Sequence, residues 1–290
     1  MPENIKGLRR RVRSIKNTAK ITRAMEMVSA AKLRRTQQVM RSAKPFLLKL
    51  EQVLGRLAQS ESAKANQYFQ RREQGERLLV VMTADRGLCG AFNTNLIKAG
   101  VRALKADPGL KVFAVGRKAR DFFAKYHRAR MAGELFDFAG RVDGPKAEQL
   151  GQLLLDLFES GKFSQIDIIQ AEYVSSVVNR PLQTRFLPVE AASLGQGAQA
   201  GAAEEADYIL EPSPERVFEA LMPRYLKSKV YLALAETLTS EHSARMLSMN
   251  NATKNCKELV STLTLRMNKL RQAAITTEII EIVSGAEALN

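Results

Sequence analysis

A chain of 290 residues, 45% of them hydrophobic, is long enough for one or two domains with a real core and too apolar to be disordered. Tryptophan is absent and aromatics make up 6%, a balance that favours long helices over a β-rich fold, while a net charge of +15 calls for an acidic partner. The two cysteines, Cys89 and Cys256, lie far apart and exclude a disulfide framework or a zinc knuckle, which points to a reducing compartment. No apolar leader core and no uncharged apolar run of about 18 residues is visible, so neither a signal peptide nor a membrane span is expected.

The first predicted element is a helix from about residue 3 to about residue 59. Ile5, Leu8, Val12, Ile15 and Ala19 recur at steps of three and four, which draws one narrow apolar seam on it. Pro45 is expected to kink or divide this helix, because proline lacks the amide donor and clashes with the preceding turn. Thirteen lysines and arginines within residues 1–44, among them Arg9, Arg10, Arg11 and Arg13, face only Glu3 and Glu26, so the helix reads as a basic rod. Residues 60–76 read as a polar linker.

The middle of the chain alternates strand with helix. Residues 78–83 (LLVVMT) form a short apolar strand followed by turn residues 84–90 (ADRGLCG). A helix over 93–106 capped by Asn93 or Thr94, a strand over 111–115 and a helix over 117–126 come next. A helix over 145–160 then opens on Pro145 at a favoured first-turn position. A strand over 166–173 is followed by one over 182–189, which belongs at a sheet edge because it contains Pro188. This order predicts βαβ units and a largely parallel sheet.

Residues 194–205 are rich in glycine, alanine and glutamine and read as a flexible loop. The last helix follows Pro214, with an early kink expected at Pro223. On it Ala252, Cys256, Leu259, Leu263, Met267, Leu270 and Ala274 repeat the seam spacing. At ~1.5 Å per residue the two end helices would reach roughly 80 Å and roughly 100 Å, far beyond a domain folded around them. To bury both seams they must pack antiparallel. The expected organisation is a coiled-coil helix over 1–59, an α/β domain over 77–192, a flexible connection over 193–212 and a second coiled-coil helix over 213–290. The fold class is therefore α/β: a long antiparallel coiled coil with a Rossmann-like domain inserted between its helices.

Chemistry is sparse. The turn Asp85-Arg86-Gly87-Leu88-Cys89-Gly90 follows a strand, as a phosphate-binding turn does, but its glycine spacing matches neither GxGxxG nor a P-loop, and no Lys-Ser/Thr follows. A tight structural turn is the better reading. Cys89 has only His127 and His242 as candidate partners, neither in a catalytic motif, so an inert buried thiol is expected. The run 9–13 could neutralise phosphates, which keeps a basic coiled-coil nucleic-acid-binding protein as the alternative reading. Against it stand the regular seam and the shortage of aromatics to stack on bases.

The tail 275–288, Ile275-Thr276-Thr277-Glu278-Ile279-Ile280-Glu281-Ile282-Val283-Ser284-Gly285-Ala286-Glu287-Ala288, carries apolar residues with no obvious partner sequence. It resembles the signature of the gamma subunit of F-type, proton-translocating ATP synthases of bacterial type: Ile-Thr-x-Glu, two residues, an acid, three residues, then Gly-Ala. Residues 21–28 (ITRAMEMV), the turn 85–90, residues 207–214 (DYILEPSP) and Arg271-Gln272 resemble further parts of that family, in order along the whole chain. Chloroplast-type members carry a regulatory insert with a cysteine pair, and residues 194–205 contain no cysteine.

The resemblance implies a non-catalytic subunit of a proton-transporting two-sector ATPase, with no cofactor and no metal. It implies a rotor in the central stalk, one copy per complex, turning inside a ring of alpha and beta subunits. The epsilon subunit and the membrane c-ring would bind at the other end, holding the chain peripherally on the cytoplasmic face of a bacterial inner membrane. By resemblance Met25, Arg271, Gln272, Thr276 and Glu278 contact the beta subunits, and Asp207, Tyr208 and Glu211 contact epsilon and the c-ring.

Overall fold

The computed structural model describes residues 4–58, 66–72, 74–190, 194 and 211–287, with side chains to residue 285. Among the described residues five α-helices and five strands follow in chain order: α1 (Ile5–Leu57), β1 (Glu76–Met82), α2 (Phe92–Ala106), β2 (Lys111–Val115), α3 (Arg117–Tyr126), β3 (Met131–Leu135), α4 (Gly144–Glu159), β4 (Phe163–Tyr173), β5 (Asn179–Leu187) and α5 (Pro214–Glu287). The chain divides into two compact units, Ser29–Arg245 and the pair Met1–Val28 with Met246–Asn290.

The larger unit is built on a five-stranded sheet in the order β3-β2-β1-β4-β5. The three pairings among β1 to β4 are parallel, and β5 closes the edge antiparallel to β4. The alternation of strand residues decides which helices cover which face. Leu78, Val80 and Met82 point into a core with α4, with Leu47, Leu50 and Leu54 of α1, and with Phe218, Met222, Tyr225 and Leu226 of α5. Leu79 and Val81 point to the other side, against Phe92, Leu96 and Leu104 of α2 and Ala119 and Phe123 of α3. With both faces covered, β1 reads as an unbroken apolar run.

The strand β3 is missing from the sequence reading. Its Met-Ala-Gly-Glu-Leu has neither an apolar run nor a clean alternation, and its glycine is there for space: a Cβ at Gly133 would stand 2.5 Å from the Phe113 ring. Pro45 does not divide the first helix, and α1 and α5 each continue through their proline. Asn93 is not a cap. Its Oδ1 accepts from the amide of Ala84 and its Nδ2 donates to Cys89 Sγ at 3.1 Å, so it ties the turn after β1 instead. The described part of the expected linker is packed rather than free: Tyr68 is buried, its hydroxyl donates to Glu159 and its carbonyl accepts from the amide of Val189. Most of residues 193–212 lies outside the described residues. Leu194 within it is buried in the core.

In the smaller unit α1 and α5 run antiparallel. Thr22 meets Thr253 at 2.8 Å, and Glu26 accepts from Asn250 at 3.0 Å. Leu8, Val12, Met249 and Thr253 are buried, and Ile5, Ile15, Ala19, Ala252, Cys256, Leu263, Met267 and Leu270 are half-buried. Leu259 departs from the expected seam. It is 51% exposed, and Val260 takes the half-buried position beside it. The inward row runs 249, 253, 256, 260, so a threonine, skipped as polar in the sequence, anchors its register.

Two experiments test this packing. Gly116 has φ +87°, and a Cβ there would lie 2.1 Å from the Thr83 carbonyl oxygen. Gly116→Ala is therefore expected to destabilise the chain by about 2–4 kcal/mol, read from its urea midpoint. In a double-mutant cycle, Thr22→Val and Thr253→Val should each cost about 1 kcal/mol, and the double variant less than their sum by about 0.5–1 kcal/mol.

Candidate functional surfaces

A doubly wound sheet offers a ligand crevice where the strand order reverses, outside the carboxyl ends of the strands. Here that place lies between β1 and β4, and α5 fills it. Thr237 Oγ1 accepts from the amide of Ala171, the Ser240 hydroxyl donates to the Ala171 carbonyl, and the Ser243 hydroxyl donates to the Ser176 carbonyl. From β1, Arg245 takes the turn 85–90: its Nε donates to Gly87 O and its Nη2 to Arg86 O, both at 3.2 Å. Its Nη1 meets Glu241 at 2.7 Å in a pair that is almost entirely buried.

The anion position at the α3 N-terminus is filled from within as well. Asp85 Oδ1 accepts from the amide of Arg117 and from that of Asp137, and Thr83 Oγ1 accepts from the amide of Ala119. A phosphate at this helix N-terminus would have to displace a carboxylate of the chain itself. Cys89 is buried, and burial pushes its thiol up, away from a reactive thiolate.

His242 sits in the same region, 1% exposed. Its Nε2 donates to the Gly140 carbonyl at 2.9 Å, and Lys32 Nζ donates to the neighbouring Ala139 carbonyl. Burial holds the imidazole neutral and lowers its pKa to about 4, with Arg245 and Lys32 pressing the same way against the Gly140 hydrogen bond. Burial pushes the Glu241 carboxyl up, and Arg245 opposes that rise.

The second surface is the end of α5. The antiparallel register sets Ile5 of α1 level with about Leu270, so the remaining ~15 described residues of α5, roughly 22 Å of helix, run on past the described start of α1. Every described side chain from Arg271 to Gly285 is exposed, including Ile275, Ile279, Ile280, Ile282 and Val283. At about 100° per residue these five occupy an arc of roughly 160°, and Thr277, Glu278 and Glu281 hold the other side. Isoleucines at 49–71% exposure at a helix end form an apolar surface that calls for a partner.

A family model described as ATP synthase matches residues 4–289. The ATP synthase gamma chain of Symbiobacterium thermophilum is 41% identical, covering 100% of this chain and 99% of that one. The ATP synthase gamma chain of Moorella thermoacetica is 42% identical, with 99% of each covered. The chain belongs to the ATP synthase gamma family.

Solved structures agree on the fold. A chain of the Euglena gracilis mitochondrial ATP synthase, from a structure of OSCP, F1 and the c-ring, aligns with TM-score 0.68 and 22% identity over 98% of this chain and 94% of that one. A chain of the Euglena rotor aligns with TM-score 0.62 and 19% identity, over 93% and 98%. A gamma chain is a subunit of ATP synthase and is not catalytic by itself. Among the described residues no helix is long and apolar enough to cross a membrane.

The residues assigned by resemblance fall in separate places. Arg271, Gln272, Thr276 and Glu278 stand exposed together on the last turns of α5. Met25 is half-buried on α1, level with about Asn250, and so roughly 30–40 Å from that group along the helix pair. Glu211 is exposed, and Asp207 and Tyr208 lie outside the described residues. Within the stretch Thr237 to Arg245 the sequence singles out His242 alone, as a candidate partner of Cys89, and gives no sign of the buried network around it. The run Ser-Glu-His-Ser-Ala-Arg looks solvated. The signal that could have found it is the absence of any apolar stripe in a helix flanked by core leucines.

His242 makes a pH prediction with a definite sign. The unfolded chain binds a proton near the ordinary 6.5, whereas the folded imidazole resists protonation down to about 4. Stability should therefore fall as pH drops from about 6.5 to about 4, by on the order of 3 kcal/mol from this group. Denaturant midpoints measured across that range should show a shallower fall in His242→Gln than in the parent. Parallel curves would show that His242 is not the group responsible.

Proposed function

We propose that the chain is the central-stalk rotor subunit of an F-type ATP synthase, carrying torque between a proton-driven c-ring and the catalytic beta subunits. The observation that carries this reading is the end of α5, an apolar arc on a helix that outruns its described partner, in a chain whose family is that of the gamma subunits. Three like catalytic subunits around such a tip would meet different faces of it, apolar at one and Thr277, Glu278 and Glu281 at another. A tip that turns then shifts the conformational populations of each subunit in succession, and it can do so only through differential contacts of this kind.

The outer face of α1 fits the same role. Arg9, Arg10, Arg11, Arg13, Lys16 and Lys20 are exposed and bear long charged side chains rather than an adhesive apolar strip. Charges in water attract an acidic partner over a distance without the snug packing that would hold one orientation fixed. In this reading the partners are the alpha and beta subunits, epsilon and the c-ring. The chain is peripheral on the cytoplasmic face of the bacterial inner membrane, held there through those partners, and binds no nucleic acid.

Two measurements test the proposal. A tagged copy isolated from detergent-solubilised membranes should bring with it a complex that hydrolyses ATP and holds one copy of this chain. Recovery alone, or with nucleic acid at physiological salt, would overturn the reading. In membranes carrying that complex, Met25→Lys should leave ATP hydrolysis running while proton pumping per ATP falls. Equal pumping in variant and parent would remove Met25 from the contact.

A further inference from the structure

We propose that residues 236–245 of α5 form a rotational lock, a set of directional hydrogen bonds that stops this helix from rolling about its own axis within the α/β unit. This rests on the rotor reading and names the residues through which the α/β unit would grip the shaft. Packing of Leu234, Ala235 and Leu238 is non-directional and opposes separation more than rolling. A hydrogen bond weakens steeply once its angle is lost.

The stretch is enclosed on every side. Thr237, Thr239, Ser240, Glu241, His242, Ser243 and Arg245 are all buried, between 0% and 8% exposed. Thr239 donates to the Ala235 carbonyl of its own helix, whereas the hydroxyls of Thr237, Ser240 and Ser243 face a strand and a loop of the same unit. With Ser240 as the reference direction and about 100° per residue, Ser243, Glu236 and Thr237 lie within roughly 60° of it. That side bonds β4 and the hairpin after it: Gln170 donates to Glu236 at 2.8 Å, and Thr237, Ser240 and Ser243 engage Ala171 and Ser176. Arg245 and His242 point to the opposite half, at roughly 140° and 200°. They bond the turn after β1, through Arg86 and Gly87, and the loop at Gly140.

Anchors on opposed sides are what a lock needs. Bonds on one side alone would let the helix roll as a hinge does, whereas here a roll in either direction lengthens bonds on both halves. Glu241 serves by holding Arg245. The ion pair spans one helical turn and aims the guanidinium so that two of its nitrogens meet two successive carbonyls. These are positioning residues, and they touch nothing that reacts.

The test uses the assembled complex carrying this chain, its ring fixed to a surface and a gold rod attached to a cysteine introduced at Lys105, an exposed position on α2, in a Cys256→Ser background. The spread of rod angles within each dwell reports torsional stiffness. Ser240→Ala with Ser243→Ala removes two hydroxyls and leaves every apolar contact. Leu234→Val trims packing and touches no directional bond. The hydroxyl variant should widen the angular variance about two-fold or more. Leu234→Val should lower the melting temperature of the isolated chain and leave the variance at the parent value. If the hydroxyl variant does not assemble, Arg245→Lys, which keeps the charge beside Glu241 but loses the guanidinium fork, is held to the same criterion. Equal widening in the packing and hydrogen-bond variants, or none in either, overturns the lock. A parent rod that never turns with ATP overturns the rotor reading itself, whereas a parent that turns beside an unaltered hydroxyl variant overturns the lock alone.

Discussion

The structure of the larger unit depends on the burial of the Glu241–Arg245 pair. Taking two charges out of water costs several kcal/mol per ion, and their mutual attraction offsets this only when the remaining hydrogen-bonding groups find partners. The guanidinium finds them in the Arg86 and Gly87 carbonyls, so the turn after β1 must come to the helix. Asp85, at the head of that turn, in turn takes the amides of Arg117 and Asp137. One buried pair thereby fixes the loops at the carboxyl ends of β1 and β2, and the crevice that a doubly wound sheet would give to a ligand is closed by protein.

Four of the five strands and the helices between them were readable in advance because their cause is local. A run such as LLVVM, bounded by turn residues, is a buried parallel strand almost regardless of context, and helices with a clear apolar side must lie against it. What escaped the sequence depends on partners distant in the chain. Residue 133 in β3 is a glycine because Phe113 lies over it. Asn93 looked like a cap until the Ala84 amide and the Cys89 sulfur claimed its side chain. The polar run ending at Arg245 gave no sign of burial because its acceptors are carbonyls at residues 86, 87, 140, 171 and 176, and no backbone carbonyl is visible in an amino-acid pattern.

The functional surface shows the same division. Ile275 and its neighbours could be recognised as uncovered because a seam already drawn ran out of partner. The seam was displaced by one residue at two places, to Thr253 beside the expected Ala252 and to Val260 beside the expected Leu259. That threonine is buried because Thr22 accepts or donates across from it, and a hydroxyl pair in a seam sets register more strictly than two leucines, which tolerate sliding. Glu26 adds to this: the hydrogen bond from Asn250 and the nearby Arg23 hold its carboxyl below the usual carboxylate range. Register in this helix pair is therefore a polar matter, though its cohesion is apolar.

The apolar end of α5 has a consequence for a copy of the chain that has not met its partners. Five large aliphatic side chains then face water on a single helix end, more than half exposed in four of the five. Such a surface associates with itself and with any other exposed hydrophobic segment, and unprotected copies aggregate or are degraded. Folding this chain is thus not enough to keep it. Its lifetime in a cell is tied to the supply of whatever covers that tip, and surplus copies remove themselves.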